Sequence, residues 1–227
     1  MYRVIRIFWA LSFVALAICL NSCAAGGDRT RAPKPLKTPA EQDDRPKIIA
    51  FGDSLTAGFG LTEKESYPYL LQEKLRADGF DYDVVNAGVS GDTTLGGLER
   101  IDWALENDNV RILILELGAN DLLRGIPPDK MRSNLDQIIR KTKAKGVRIL
   151  LCGMLAPPTL GQQYQREFVN AFPDLATEHK LDFLPFLLEG IALNKDLNQP
   201  DGIHPNAEGS RIMTDNVYRA LKPMLAK

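Results

Sequence analysis

The chain is poor in the residues that build metal centres and covalent cross-links. Three cysteines and two histidines in 227 residues are too few for a multi-ligand zinc site of the usual spacing, so neither metal nor cofactor is expected. An excess of one charge is missing too: 28 Lys+Arg stand against 29 Asp+Glu, a net charge of −1. Without a basic surplus nothing draws the chain to a phosphate backbone, and no nucleic-acid partner is expected. Aromatics make up only 7%, but with 44% hydrophobic and 25% charged residues the proportions are those of an ordinary globular protein. Long apolar runs are lacking except for one, Ile7 to Leu20, broken only by Ser12. At about 14 residues it falls short of the ~20 that a spanning helix needs. Behind Arg3 and Arg6 it has the form of a signal-peptide core.

That run ends in Leu20-Asn21-Ser22-Cys23, followed by Ala24-Ala25-Gly26-Gly27. The tetrapeptide resembles the lipobox of bacterial lipoproteins. The resemblance implies cleavage before Cys23, lipid on Cys23, and an anchor at the periplasmic face of a membrane. Ala24 in place of Asp implies the outer membrane. The alternative is an ordinary signal peptide and a soluble periplasmic protein. Residues 24–46 carry Pro33, Pro35, Pro39 and Pro46, charges of both signs, and Leu36 as the one large apolar residue. Such a stretch buries too little to offset its ordering entropy and reads as a flexible linker. The expected organisation is a signal peptide over 1–22, a lipidated Cys and linker over 23–46, and one domain over 47–227. Within that domain the one cysteine, Cys152, lies in Ile149-Leu150-Leu151-Cys152. It reads as a buried, inert thiol, and the domain folds without disulfides.

From residue 47 onward strand and helix patterns alternate. Short apolar runs at Ile48–Phe51, Asp83–Asn86, Val110–Leu117, Val147–Leu151 and Leu181–Phe186 read as five strands. Val110–Leu117 is the richest in β-branched residues and leucine, as suits a strand buried on both faces of a parallel sheet. Helical spacing appears over Tyr67–Ala77 after Ser66, Thr94–Glu106, Met131–Lys145 closed by Gly146, and Tyr164–Lys180 with a break at Pro173. A last helix runs from an Asn206 cap to Leu221. The order implies an α/β fold, a three-layer αβα sandwich on a five-stranded, mostly parallel sheet.

Ligands of such sheets gather at the carboxyl ends of the strands. There the chain places Gly52-Asp53-Ser54-Leu55-Thr56, then Asn86-Ala87-Gly88-Val89-Ser90-Gly91-Asp92-Thr93, then Gly118-Ala119-Asn120-Asp121. Before the last helix it adds Asp201-Gly202-Ile203-His204-Pro205. Together they bring a serine, glycine N–H groups, an asparagine, and an aspartate three residues before a histidine, the parts of an acyl-transfer site. Thr56 stands where the α/β-hydrolase elbow Gly-x-Ser-x-Gly needs its second glycine, which excludes that fold. Asp53 and Asp92 read as loop braces, and His179 as a structural residue at a helix end.

These four blocks, in this order, resemble those of the SGNH (GDSL-type) serine hydrolases. From Lys47 onward the chain is similar to the branch of bacterial multifunctional acyl-CoA thioesterases, lysophospholipases and arylesterases. The resemblance implies a flavodoxin-like SGNH fold, with Ser54 as nucleophile, His204 as base and Asp201 as its partner. The Ser54 and Gly91 N–H groups and the Asn120 side chain would form the oxyanion hole. It implies a monomeric esterase or thioesterase acting on acyl esters through an acyl-enzyme. A carbohydrate deacetylase of the same fold is the alternative, and a non-catalytic lipid- or glycan-binding lipoprotein a further one. The loops Leu122-Leu123-Arg124-Gly125-Ile126 and Thr159-Leu160-Gly161 are expected to shape the acyl pocket.

Overall fold

Five strands form one sheet in which every neighbouring pair is parallel. The computed structural model describes residues 44–106 and 108–225. Cys23, the expected signal peptide and the expected linker as far as residue 43 lie outside them. The strands are β1 (Lys47–Gly52), β2 (Asp83–Gly88), β3 (Val110–Glu116), β4 (Arg148–Cys152) and β5 (Asp182–Leu184), in the spatial order β2-β1-β3-β4-β5. This is the flavodoxin-like order, and its switch point lies between β1 and β3. A parallel sheet sandwiched between helices must be apolar throughout. Accordingly Ile48 to Phe51 and Ile112 to Leu115 are buried almost completely.

The helices are α1 (Ser54–Ala57), α2 (Tyr67–Ala77), α3 (Thr94–Ala104), α4 (Ala119–Leu123), α5 (Pro128–Ala144), α6 (Gln162–His179) and α7 (Ala207–Leu221). One layer holds α3, α5 and α6 packed side by side, and the other pairs α2 with α7. The start of α7 is set by Asn206, whose Oδ1 accepts from the N–H groups of Glu208 and Gly209, 3.0 Å each. The expected break at Pro173 does not occur: α6 runs on to His179. Pro173 sits on the solvent face, where water can satisfy the carbonyl it frees, while Phe168, Phe172 and Leu175 hold the buried face in place. Strand β5 is shorter than its apolar run because Pro185, which has no N–H, follows Leu184.

The described residues form one compact unit. Its entry is tied down, with Arg45 Nη2 3.4 Å from Asp83 Oδ1 and the Pro46 carbonyl accepting from the Asp83 N–H at 3.0 Å. Cys152 is buried without a disulfide partner, and burial pushes its thiol far above the ordinary range. An inert thiol is the result. His179 Nε2 lies 2.6 Å from Asp136 Oδ1, a structural pairing at the end of α6. Together with Glu178 these two bring three potential ligand atoms within 4.8 Å. Arg140 already pairs with Asp136 at 2.7 Å, and Arg132 with Glu178 at 2.7 Å, so the cluster is neutralised from within.

Candidate active site

Strand β1 ends at Gly52 and the chain turns at once into the single turn α1. Only glycine fits at 52, because a Cβ there would meet Thr56 Oγ1 at 2.1 Å and Glu116 Oε2 at 2.4 Å. Asp53 caps α1, its Oδ1 accepting from the Leu55 N–H at 3.0 Å. Asp53 is thus the cap, and Ser54 stands in the first turn. There its N–H has no partner within the helix and points outward.

Ser54 Oγ lies 2.9 Å from His204 Nε2, and His204 Nδ1 lies 2.8 Å from Asp201 Oδ2. The other Asp201 oxygen accepts from the Ile203 and His204 N–H groups, both at 3.0 Å. One carboxylate thus folds its own turn and orients the imidazole three residues on. The Ile203 N–H foremost, then the His204 ring and N–H, lower the Asp201 carboxyl to about 2. It is ionised throughout the neutral range, as a partner for a developing imidazolium must be. Phe59 packs on the imidazole with ring centroids 4.7 Å apart, and Gln199 Nε2 ties Phe59 to this loop by donating to its carbonyl at 2.7 Å.

Ser54, Gly91, Asn120 and His204 face one cleft of about 650 Å³, within the range that holds a small-molecule ligand. Gly91 has φ +83°, and this left-handed backbone is what demands glycine. Space does not demand it, since a Cβ would meet nothing of the protein closer than Arg124 Nη2 at 3.7 Å. The amide of Asn120 donates to Asp53 Oδ2 at 3.0 Å, which fixes its plane and leaves its second N–H for a ligand. The neighbouring Asp121, buried in the fold, accepts from the Thr94 N–H at 2.8 Å and the Thr94 hydroxyl at 2.6 Å. It thereby locks the Gly91 loop to the Asn120 turn.

Asp53 and Asp92 are braces, as expected. Asp92 Oδ2 receives Arg100 Nε at 2.6 Å, while the same guanidinium donates to the carbonyls of Ala87 (2.8 Å) and Gly52 (2.9 Å). Sequence reasoning missed Arg100, and it missed Glu116. The Glu116 side chain is wholly buried beneath α1. Its Oε2 accepts from the Thr56 hydroxyl at 2.8 Å and the Asp53 N–H at 3.2 Å, and its Oε1 has no hydrogen-bond partner. An acid in an otherwise apolar run was the available signal. Burial, with the Asp53 charge next, holds the Glu116 carboxyl well above the usual carboxylate range.

Burial also raises Asp53, from 3.8 to about 6, against the lowering effects of the Leu55 N–H, the Asn120 amide and Glu116. Between about pH 4 and 6 the native state therefore holds a proton that the unfolded chain has released. Its stabilising contribution is complete below about pH 4 and is lost as the pH rises through 6. Asp53→Asn has no such proton to lose. The stability gap between wild type and variant is expected to move in the variant's favour by about 2 kcal/mol from pH 4.5 to 7.5. Paired urea melts measure it, and a gap independent of pH contradicts the assignment.

The cleft takes its walls from Leu122, Leu123, Thr159 and Leu160, as expected of the two loops. Leu55, Met154, Phe186 and Leu188 complete it and were not anticipated. A hydroxyl aligned with a carboxylate-backed imidazole, beside a fixed amide donor, is equipped to attack a carbonyl and hold the oxyanion that forms.

The model of the GDSL-like lipase/acylhydrolase family matches residues 50–212, from β1 into α7. Esterase TesA of Pseudomonas aeruginosa is 38% identical over 178 residues, 78% of this chain and 89% of its own. Thioesterase 1/protease 1/lysophospholipase L1 of Escherichia coli is 35% identical over 178 residues, 78% of this chain and 84% of its own. Among solved structures, the psychrotrophic esterase EstA from Pseudoalteromonas, inhibited by monoethylphosphonate, superposes with a TM-score of 0.75 at 34% identity. The match covers 78% of this chain and 97% of that one, so a chain of this domain's extent folds on its own. The chain belongs to the GDSL-like lipase/acylhydrolase family and is a hydrolase of ester bonds.

Proposed function

We propose that Ser54 is the nucleophile, His204 the general base and Asp201 its orienting partner. The Ser54 and Gly91 N–H groups and the Asn120 amide form the oxyanion hole. The unbroken line Asp201–His204–Ser54, at 2.8 and 2.9 Å, carries the assignment. As Ser54 Oγ bonds to the substrate carbonyl carbon, His204 Nε2 takes the hydroxyl proton. The carbonyl oxygen becomes an oxyanion facing Asn120 and the two N–H groups. Collapse expels the alcohol or thiol, which leaves with the His204 proton and an acyl group on Ser54. Water, deprotonated by His204, then releases the carboxylic acid and restores Ser54.

Acyl chains longer than acetyl are the substrate class, and the apolar walls of the cleft support this. The experiment is hydrolysis of aryl esters from acetyl to palmitoyl. Butyryl to octanoyl esters are expected to react with a kcat/KM at least equal to that of acetyl, since each buried CH₂ contributes up to about 0.8 kcal/mol of binding. An acetyl-only profile would instead support the deacetylase reading.

Location is part of the proposal. The apolar run before Leu20-Asn21-Ser22-Cys23 supports an exported lipoprotein, lipidated on Cys23 and held at the periplasmic face of the outer membrane. Cys23→Ser is expected to accumulate as unprocessed precursor. A mature wild-type N-terminus beyond Cys23, without lipid mass, would make the protein a soluble periplasmic esterase.

A further inference from the structure

Nine large apolar side chains stand exposed among the described residues, and six of them gather around the mouth of the cleft: Phe59, Leu123, Leu155, Leu160, Leu193 and Ile203. Scattered exposed leucines need no explanation, but six exposed side chains lining one cleft do. Leu193 is the sharpest case. It is 96% exposed, and its backbone has φ +65°, a conformation that glycine or asparagine adopts far more readily than leucine. Neither burial nor backbone preference explains leucine there. Strain and exposure combined at one residue beside a reactive site are the pattern of a functional position.

The six residues come from separate places: the loop after α1, the end of α4, the chain after β4, the turn before α6, and the two segments between β5 and α7. They offer no free strand edge and no helical stripe with which a peptide could register. A rigid protein seated on them would also close the cleft they surround. A fluid, non-directional apolar phase can cover the ring and leave the cleft supplied with acyl chains. The chain outside the described residues favours the same partner, since Ile7–Leu20 and Cys23 place a lipid anchor one linker's length from the domain.

We infer that these six side chains form a docking collar that seats the cleft on a lipid–water interface, with Leu193 inserted deepest. Substrate then enters from the lipid phase, its acyl chain already in apolar surroundings. This deepens the ester-hydrolase reading by naming where its substrate resides.

The test uses the chain from Asp43 onward, which lacks the proposed anchor, and extruded phosphatidylcholine vesicles, whose zero net charge isolates apolar insertion. Flotation is expected to carry wild type up with the vesicles. Leu193→Gly suits the φ of +65° and keeps the fold, which circular dichroism verifies, and is expected to lower the bound fraction at least fivefold. Leu193→Asp, also tolerant of this backbone, is expected to abolish flotation. Trp103→Ala removes an exposed ring, 66% accessible, that lies outside the cleft, and is expected to float as wild type does. The collar is refuted if wild type stays in solution, if Leu193→Gly floats equally, or if Trp103→Ala loses as much. It is refuted too if wild type is a dimer that Leu193→Gly splits and that ignores vesicles. Turnover of a dissolved butyryl ester by wild type separates the two claims. Its absence would sink the hydrolase reading, whereas flotation reports on the collar alone.

Discussion

Replacing Ser54 with alanine is expected to lower turnover of a dissolved aryl ester by at least about 10³-fold, some 4 kcal/mol of transition-state stabilisation. The variant keeps the cleft, Asn120 and the imidazole but has no oxygen to carry the acyl group. What remains is the rate at which His204 and the oxyanion donors can direct water at a bound ester. Removing the hydroxyl costs the fold one half-buried hydrogen bond, to His204 at 2.9 Å, worth about 1 kcal/mol. Denaturant midpoints should therefore stay close to those of wild type, so that lost activity is not lost protein. Steady-state kinetics with a matched urea melt check both halves. Activity within tenfold of wild type would remove Ser54 from the mechanism.

Asn120→Ala is expected to cost about 10²–10³-fold in kcat, or roughly 3–4 kcal/mol, with KM moved less than threefold. The split follows from geometry. The Asn120 amide is already held by Asp53 Oδ2 at 3.0 Å, so it pays no reorganisation when negative charge appears on the substrate oxygen. A neutral ground-state carbonyl gains much less from the same donor. Asp53→Asn tests the support behind it. Its amide would set a donor against either the Leu55 N–H or the Asn120 amide, and about a tenfold loss of kcat is expected while Asn120 itself is untouched. Progress curves over a range of substrate concentrations separate kcat from KM. A variant Asn120→Ala whose KM rises at constant kcat would make the residue a ground-state contact instead.

Where local chemistry decides an element, the chain could be read directly. Asn206 before Ala207 marks the start of α7, because a cap is a short-range device visible in a few residues. The site blocks were legible for the same reason: polar residues at the carboxyl ends of apolar strands have few reasons to be there. Pro173 misled because its cost depends on which face of α6 it occupies, and the packing of Phe168 and Phe172 decides that. Glu116 was hidden inside a strand pattern dominated by leucine and isoleucine, and its role beneath Asp53 and Thr56 rests on contacts across 60 and 63 residues of chain. The collar escaped entirely, since leucines in irregular loops share no period. Only the fold brings Phe59, Leu123 and Leu193 to one rim.

The most direct test of the account is covalent capture. A fluorophosphonate probe, whose phosphorus takes the place of the acyl carbon, should react once per chain, and peptide mapping by mass spectrometry should find the adduct on Ser54. The reaction should require the imidazole, so His204→Ala is expected to label at least about 10²-fold more slowly, in line with loss of general-base assistance. A label on another side chain, or labelling of Ser54→Ala at the wild-type rate, would contradict the assignment of Ser54 as the nucleophile.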